Sequence, residues 1–282
     1  MNVRETALYP FAKRFFAGET LDDAVARARS DNLREIGATV DYLGEDVSSR
    51  AEALAALSEY VRAVDAVATA GLDASVSIKL THIGLDIDRD LAENSAVEIA
   101  RHAKQRGVFV WVDMEGSAHT EETLDIYLVM LKAGAKAGVA VQAYLRRGMA
   151  ELVKVAGHGG TVRIVKGAYN EPEEIAFRDM RDIRANFLDM AGYLLSKGIR
   201  FAVGTHDRQL IDRLYLLSGG GRGIEFQMLM GLRDDLKLRL VSGGARVVEY
   251  VPYGRDWYGY GMRRIREKRR NMFYFAQGIF GR

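Results

Sequence analysis

Two cations interrupt an apolar segment near the middle of the chain. Arg163 and Lys166 lie within residues 161–170, where the neighbouring side chains are mostly valine and isoleucine. An unpaired charge in an apolar interior costs several kcal/mol, so a strand that serves only packing has no use for either cation. Gly167 and Ala168 come next, and their lack of bulk lets a ligand approach the backbone closely. The segment therefore indicates a site for an anionic or electron-rich ligand, or else an edge strand whose charges face solvent.

Polar side chains stand at the end of each apolar segment of the chain. In order they are Asp41 and Glu45; Lys79, Thr81 and His82; Asp113 and Glu115; Gln142 and Tyr144; Arg163, Lys166 and Tyr169; Thr205, His206 and Asp207; Glu225 and Gln227; and Tyr250 and Tyr253. Each one alone has an ordinary structural explanation, such as a lysine that reaches solvent or an acid that caps a helix. Their recurrence at the same end of eight segments predicts one shared site, because the carboxyl ends of neighbouring parallel strands meet.

The residue types narrow the chemistry that such a site could carry. No H-x-H or H-E-x-x-H spacing accompanies His82 or His206, and several cations stand among the acids, so no metal site is predicted. No G-x-S-x-G motif supplies a serine nucleophile. Lys79 or Lys166 could form a Schiff base with a carbonyl substrate, as in barrel aldolases, and this alternative stays open.

A further group of residues suits an anionic substrate and a redox ring. The adjacent arginines Arg263 and Arg264 suit a bidentate grip on a carboxylate, with Lys79 as a third cation. Several tyrosines would surround a small, partly apolar substrate. Gln142 could recognise the amide edge of a flavin or nicotinamide ring. The two cations of the central segment could stabilise a ring that becomes more negative on reduction.

Eight strand–helix units must position these side chains. The predicted strands cover residues 38–43, 75–80, 108–113, 139–144, the segment from 161, 200–205, 223–227 and 246–251, and the helices cover 48–71, 90–106, 120–137, residues up to 156, 172–196, 207–217, residues up to 240, and 257–270. The strands are short and lack long polar faces, which is typical of a parallel sheet covered by helices. Eight units predict an α/β fold, a distorted (β/α)8 TIM barrel. An open doubly wound sheet is disfavoured because no strand is followed by G-x-G-x-x-G.

The residues before the first strand predict a helical lead-in. Thr20 can cap a helix with Asp22 and Asp23 in its first turn, and Gly37 is expected to end that helix. Ser48 is expected to start the next helix. We predict two regions: a helical N-terminal lead-in over residues 1–37, and a catalytic barrel over residues 38–282 that includes a final helix over the barrel mouth and the C-terminal tail.

Composition excludes several classes of protein. The net charge of +2 is too small to predict a nucleic-acid partner. The absence of cysteine excludes disulfides and a cysteine nucleophile, and it fits a reducing cytoplasm. No apolar run approaches the roughly 18 residues of a membrane-spanning helix. The first five residues carry an acid and precede no apolar region, so no signal peptide is expected.

An ordered set of short motifs resembles the proline dehydrogenase family in its monofunctional bacterial form. The set comprises Asp41–Glu45, Ser77–Leu80, Asp113–Glu115, Arg163 with Val165–Tyr169, Thr205–His206, Glu225–Gln227, Tyr250–Pro252, and Tyr260 with Arg263, Arg264 and Glu267. Any one motif is weak, whereas the ordered set over residues 38–270 is specific. The resemblance implies a flavoprotein that holds FAD non-covalently and oxidises L-proline to Δ1-pyrroline-5-carboxylate, the first step of proline degradation to glutamate. It also implies that the electrons pass to a membrane quinone.

The same resemblance implies roles for individual residues. Asp113 and Arg163 match the catalytic residues, with Arg163 near flavin N5. The substrate-binding residues are Lys79, Arg263 and Arg264 for the carboxylate, and Tyr169, Tyr250 and Tyr260 around the ring. The cofactor-binding residues are Arg163, Met114, Gln142, Val165, Lys166, Gly167, Ala168, Thr205, His206 and Gln227. Asp41, as a partner of Lys79, and Glu267, as a partner of an arginine, have supporting roles.

Two features depart from the family pattern or extend beyond it. Gly259 and Gly261 stand where the family more often has proline and leucine, and glycine weakens a helix by up to about 1 kcal/mol, so the start of the last helix is predicted to be mobile and to suit a lid. The basic run Arg266–Arg270 precedes an apolar tail, which predicts either a solvated helix with a packed tail or a weak peripheral membrane contact. We expect a cytoplasmic protein, with any such contact at the inner face of the membrane. The oligomeric state stays open.

Overall fold

Eight parallel strands close into a barrel in chain order in the computed structural model, which describes residue 9 and residues 12–262. The strands are β1 (Gly37–Tyr42), β2 (Ala74–Ile78), β3 (Phe109–Val112), β4 (Ala137–Gln142), β5 (Thr161–Val165), β6 (Phe201–Gly204), β7 (Ile224–Leu229) and β8 (Arg246–Tyr253). β8 pairs with β1, from Gly37 opposite Val248 to Tyr42 opposite Tyr253, and this pairing closes the barrel. The predicted (β/α)8 barrel is confirmed. β5 pairs with β4 on one side and with β6 on the other. The alternative in which this segment is an edge strand with its charges in solvent is therefore wrong.

Helices follow the strands and surround the barrel. They are α1 (Leu21–Asn32), α2 (Arg50–Thr69), α3 (Arg89–Arg106), α4 (Thr120–Lys132), α5 (Gly148–Gly157), α6 (Met180–Ser196), α7 (Arg208–Leu217) and α8 (Asp234–Ser242). Two short 3-10 helices, Thr81–Ile83 and Ser117–His119, follow β2 and β3. Residues 257–262 are again helical. Within the part of the chain that the structure describes, no helix is both long enough and apolar enough to cross a membrane.

The strands are buried on both faces. β4 is buried at every position, and β1 at every position except its last. One face of each strand lines the barrel interior and the other packs against the surrounding helices, so both faces select apolar side chains. This double burial explains why the strands lack the polar alternation of a sheet with one face in solvent.

One predicted helix cap is confirmed, and two predicted helix ends differ in the structure. Thr20 caps α1 as predicted, in a reciprocal capping box with Asp23. Ser49, and not Ser48, caps α2, because the Ser49 hydroxyl accepts from the backbone N–H of Glu52. Gly37 does not end α1, because it is already the first residue of β1. The chain instead turns at Glu35, whose φ of 59° is left-handed.

The helix predicted over residues 172–196 is wrong in its first part. α6 begins at Met180, and the side chain of Asp179 caps it by accepting from the N–H of Arg181 at 2.6 Å. The preceding residues bond instead to the loop after β4: the N–H of Phe177 donates to the carbonyl of Tyr144 at 2.7 Å. Ala176 forms an isolated bridge with Leu145. These tertiary bonds replace the helical ones that the local composition favours.

Other boundaries move by a few residues. β2 ends at Ile78, so Lys79 is the first residue beyond the strand and not its fifth. α4 ends at Lys132 because Gly134 adopts a left-handed φ of 79° and turns the chain toward β4. Both shifts leave the predicted polar residues at the same end of the barrel.

A second apolar cluster lies outside the main core. It joins residues of the lead-in, the residue after β1 and the start of the last helix: Ala12, Phe15, Phe16, Leu43, Trp257 and Tyr260. The helix predicted over 257–270 begins as expected. Arg263, Arg264, Glu267 and the basic run Arg266–Arg270 lie outside the described residues.

Candidate functional site

Polar side chains from six strands converge at the carboxyl end of the barrel. Side chains along a strand alternate between its two faces, and the last inward position of a strand points into the barrel mouth. Six strands contribute, β1, β2, β3, β5, β7 and β8, and each residue lies at or after the middle of its strand or just beyond its end: Asp41, Ser77 and Lys79, Asp113, Arg163, Gln227 and Tyr250. They form one hydrogen-bonded network, which we call the mouth network.

Asp113 is the centre of the mouth network. Its Oδ1 accepts from Ser77 Oγ at 2.7 Å and from Arg163 Nη2. Its Oδ2 accepts from Tyr250 Oη at 2.6 Å and lies 3.1 Å from Lys79 Nζ. Burial alone would raise the pKa of Asp113, but the two cations outweigh burial and lower that pKa to about 2. Asp113 is therefore an ionised carboxylate at neutral pH.

Lys79 bridges two carboxylates. Its Nζ lies 2.7 Å from Asp41 Oδ1 on one side and 3.1 Å from Asp113 Oδ2 on the other. The predicted Asp41–Lys79 pair is thus confirmed. Burial would lower the pKa of Lys79, but Asp41, Tyr250 and Asp113 together raise it well above its ordinary value. Two ion pairs hold Lys79 as a cation, and a protonated lysine is a poor amine nucleophile, so the geometry disfavours Lys79 for the Schiff-base alternative.

Asp41 differs from Asp113 although both contact Lys79. Asp41 is 1% exposed, and its pKa rises to about 6 because burial outweighs the attraction of Lys79 and Asp113 adds repulsion. Asp113 has a second cation, Arg163, and Asp41 does not share it. The pKa of Asp41 is therefore raised above the ordinary aspartate value, and that of Asp113 is lowered below it.

Arg163 is a buried cation whose hydrogen bonds in the described structure go to members of the mouth network. Its Nη1 donates to Gln227 Oε1 at 2.9 Å, and its Nη2 donates to Ser77 Oγ at 3.3 Å and to Asp113. The guanidinium carbon lies 4.9 Å from the centre of the Trp111 ring. Its side chain is 4% exposed. These contacts fix both the charge and the orientation of the guanidinium.

The residues predicted to contact a cofactor lie at the ends of β3 to β7. Gln142 is buried and donates from Nε2 to the carbonyl of Glu115 at 3.0 Å. Lys166 Nζ lies 3.4 Å from Asp207, so the second lysine is also paired. His206 Nε2 accepts from the N–H of Leu229 at 2.8 Å, which leaves the imidazole proton on Nδ1 when the ring is neutral.

The short turn after β5 requires glycine. Gly167 has a φ of 109°, and a Cβ built on it would lie 2.1 Å from Tyr144 Cδ1. The backbone therefore approaches the Tyr144 ring more closely than any other residue type allows. Val165 and Ala168 flank this turn, Met114 follows Asp113 and is buried, and Thr205 accepts from the N–H of Asp207 at 3.1 Å.

The predicted substrate residues divide into three groups. Lys79 and Tyr250 are brought together with Asp113, as described above. Tyr169 lies on the loop after β5 and is 39% exposed, whereas Tyr260 is 8% exposed and packs in the second apolar cluster. Arg263, Arg264 and Glu267 fall outside the described residues, so their roles stay predictions. The roles of the residues inside the described part also stay predictions; the structure shows proximity for Lys79 and Tyr250, both of which contact Asp113.

Sequence reasoning assigned no role to two residues that organise the site. Ser77 contacts both Asp113 and Arg163. Its signal in the sequence is a polar residue two positions before Lys79, on the same inward face of an apolar strand. Glu171 accepts from the N–H of Ser117 at 2.7 Å and from Ser117 Oγ at 2.5 Å. No local pattern marks Glu171, because its partner lies 54 residues earlier in the chain.

Comparisons with known proteins point to one family. The family model described as proline dehydrogenase matches residues 24–275. Proline dehydrogenase 1 of Bacillus subtilis (strain 168) is 38% identical over 272 residues, which cover 95% of this chain and 90% of that protein. The proline dehydrogenase of Deinococcus radiodurans is 35% identical over 281 residues, covering 96% of this chain and 91% of that protein.

A solved structure of a related protein has the same fold. The crystal structure of proline utilization A from Bdellovibrio bacteriovorus, inactivated by N-propargylglycine, superposes with a TM-score of 0.84 at 25% identity. The match covers 93% of this chain and 33% of that one, so this chain spans about a third of the length of that protein. By the family model and by the relatives that it matches over most of their length, the chain belongs to the proline dehydrogenase family.

Proposed function

We propose that this enzyme oxidises L-proline to Δ1-pyrroline-5-carboxylate and holds FAD at the carboxyl end of the barrel. The observation that carries the proposal is the mouth network, in which the fixed charges of Asp113, Lys79 and Arg163 meet Tyr250. Membership of the proline dehydrogenase family supports the substrate and the reaction class. In this reaction the ring carbon that is next to nitrogen and does not bear the carboxylate loses a hydride. The nitrogen loses a proton, and the C=N bond of the product forms between these two atoms.

The residues at the ends of β4 to β6 fit a flavin. A buried amide at Gln142 suits the amide edge of the ring, and Lys166 adds a cation on the next strand. Gly167 and Ala168 are assigned to the same cofactor by the family resemblance, while the face of Gly167 that lacks a side chain packs against the Tyr144 ring. When bound, FAD would supply the hydride acceptor. Arg163 is the buried cation available to stabilise the negative charge that such a ring gains on reduction, and the mouth network holds it in place before the reaction.

The charges at the mouth also suit proline. We assign Lys79, Arg263 and Arg264 to the substrate carboxylate, because cations on two different elements can fix the orientation of a small anion. Tyr169, Tyr250 and Tyr260 are assigned to the walls around the ring. Asp113 holds Lys79, Arg163 and Tyr250 in one arrangement, so it serves substrate orientation and cofactor electrostatics together.

The visible spectrum tests this proposal directly. Purified protein should be yellow with flavin absorbance, and anaerobic addition of L-proline should bleach that absorbance, whereas the D enantiomer should leave it unchanged. A colourless protein that binds no added FAD, or a flavin band that L-proline does not reduce, would contradict the proposal. We further propose that a membrane quinone reoxidises the flavin. The test is reoxidation of the bleached enzyme by a soluble quinone analogue, and failure of that reaction would remove the quinone alone.

A further inference from the structure

The first turn of the last helix rests on the N-terminal lead-in. The rings of Phe16 and Trp257 stack with centroids 5.5 Å apart and an interplanar angle of 3°. Tyr9 meets both rings edge-on, at 5.8 Å from Phe16 and 5.1 Å from Trp257. Trp257 is 3% exposed, so this contact is a packed core and not a surface encounter.

Hydrogen bonds fasten the lead-in to the barrel mouth. The N–H of Ala17 donates to the carbonyl of Pro252 at 2.8 Å, and the N–H of Gly254 donates to the carbonyl of Gly18 at 3.0 Å. Arg14 Nε donates to the carbonyl of Gly231 at 2.9 Å. Residues 12–18, which we call the N-terminal seat, are thus fixed to the ends of β7 and β8. β8 is also the strand that carries Tyr250 of the mouth network.

Two glycines in the same helical turn differ in their surroundings. A Cβ built on Gly261 would lie 2.9 Å from the Cβ of Ala12, closer than side chains pack. A Cβ built on Gly259 would meet nothing within 4 Å. Packing explains the glycine at position 261, because the helix approaches the N-terminal seat closely there. Among the residues that the structure describes, no neighbour requires a glycine at position 259. This contact restrains the helix start that the glycines alone predicted to be mobile.

We propose that the N-terminal seat positions the last helix for recognition of the substrate carboxylate, with Ala12, Phe16 and Gly261 as its positioning residues. The proposal rests on the proposed function, in which Arg263 and Arg264 bind that carboxylate. Both arginines follow Gly261 within three residues. Because they follow Gly261 so closely in the sequence, we expect a shift of the helix at Gly261 to weaken their grip on the carboxylate, while the mouth network depends on the strands and stays in place.

Gly261→Ala tests the seat against a matched control, Gly259→Ala. Both substitutions add one methyl group and the same gain in helix propensity, but only the first collides with Ala12. Overpacking of about 1 kcal/mol or more should raise KM for L-proline about fivefold or more in Gly261→Ala, with flavin content and kcat unchanged. The dissociation constant of cyclopentanecarboxylate, a ring carboxylate without the reacting nitrogen, should rise by the same factor when titrated by its perturbation of the flavin spectrum. Gly259→Ala should match the wild type in both measurements.

Rescue separates positioning from general damage. Ala12→Gly removes the methyl group with which the new side chain collides, so the double variant Ala12→Gly/Gly261→Ala should recover the wild-type KM and carboxylate affinity. If Gly261→Ala does not fold, Phe16→Leu replaces it, because the loss of the stacked ring should weaken carboxylate binding in the same way. An unchanged KM and inhibitor affinity, a double variant that is not rescued, or a loss of flavin in parallel with affinity would overturn the proposal. If the wild-type flavin is not bleached by L-proline, the proposed function itself fails, and that result is obtained before any variant is made.

Discussion

Asp113 shows how a single carboxylate can organise a site. It contacts Ser77, Lys79, Arg163 and Tyr250, which come from three other strands. Each of these contacts is charge-assisted, and such hydrogen bonds are stronger than neutral ones. Its pKa of about 2 keeps it ionised throughout the physiological range. Removal of its charge should therefore disturb two cations and two hydroxyls at once.

We expect Asp113→Asn to lower kcat/KM for L-proline by about a hundredfold or more, because hydrogen bonds to charged groups contribute about 1.5–3 kcal/mol each. Arg163 loses its carboxylate partner, and Lys79 loses one of its two. The flavin spectrum should persist, since the predicted cofactor contacts on β4 and β6 are untouched. Ser77→Ala is the matched control: it removes the hydroxyl that joins the same carboxylate to Arg163 but leaves every charge in place, so its loss should be smaller than that of Asp113→Asn. Equal losses in the two variants would show that geometry, and not charge, is what Asp113 supplies.

Asp41 predicts a pH dependence of stability with a definite sign. Because its pKa rises from 3.8 to about 6 on folding, the native protein binds the proton more tightly than the unfolded chain. Its contribution to stability is therefore greatest below about pH 4 and decreases as pH rises through about 6. Asp41→Asn is the reference, because it cannot titrate at this position. The stability of the wild type relative to this variant should fall by up to about 3 kcal/mol between pH 4 and pH 7. Urea unfolding at several pH values measures this difference, and a difference that grows with pH would contradict the raised pKa.

At the scale of elements, the sequence predicted the strand ends better than the loops. Strands are local and their double burial leaves an apolar signature, so Lys79, Asp113 and Arg163 could be placed at one end of the barrel before any coordinates. The loop after β5 could not be predicted, because its bonds reach Tyr144 and Ser117 far away in the chain. Residues Pro172–Asp179 have helix-favouring side chains, yet tertiary hydrogen bonds decide their conformation. The partners of Glu171 were missed for the same reason.

Glu171 provides a test at this scale, because it ties the loop that carries Tyr169 to the loop that follows Asp113. Its carboxylate accepts from both the N–H and the hydroxyl of Ser117. We expect Glu171→Ala to raise amide hydrogen exchange in residues 166–179 and to increase KM several-fold, since the loop loses about 1–3 kcal/mol of anchoring. Ser117→Ala keeps the backbone N–H bond and should show a smaller change in both. If exchange in the loop is the same in Glu171→Ala and in the wild type, the contact does not order Tyr169.

At the scale of the molecule, one buried charge network joins the lead-in to the barrel. Glu249 of β8 accepts from Arg27 of α1 and from Lys237 of α8. The side chains of Glu249 and Lys237 are completely buried. The sequence predicted the helices and strands of this region but not the ion pairs between them. No local sequence pattern indicates that an acid on β8 contacts basic residues on two separate helices. The division of the chain into a lead-in over 1–37 and a barrel over 38–282 stays a prediction.

This network predicts a non-additive response to mutation. Lys237→Met should lower the free energy of unfolding by about 3–5 kcal/mol, because it leaves Glu249 buried beside one cation in place of two. The double variant Lys237→Met/Glu249→Leu should be more stable than that single variant, since it removes both buried charges and Arg27 retains Asp31 at 3.0 Å. Urea unfolding of the wild type, both single variants and the double variant closes the thermodynamic cycle. KM for L-proline should stay at the wild-type value in every variant that folds, because Lys237 and Glu249 face the surrounding helices and not the mouth network. A double variant less stable than Lys237→Met would mean that Glu249 stabilises the fold through Arg27 alone.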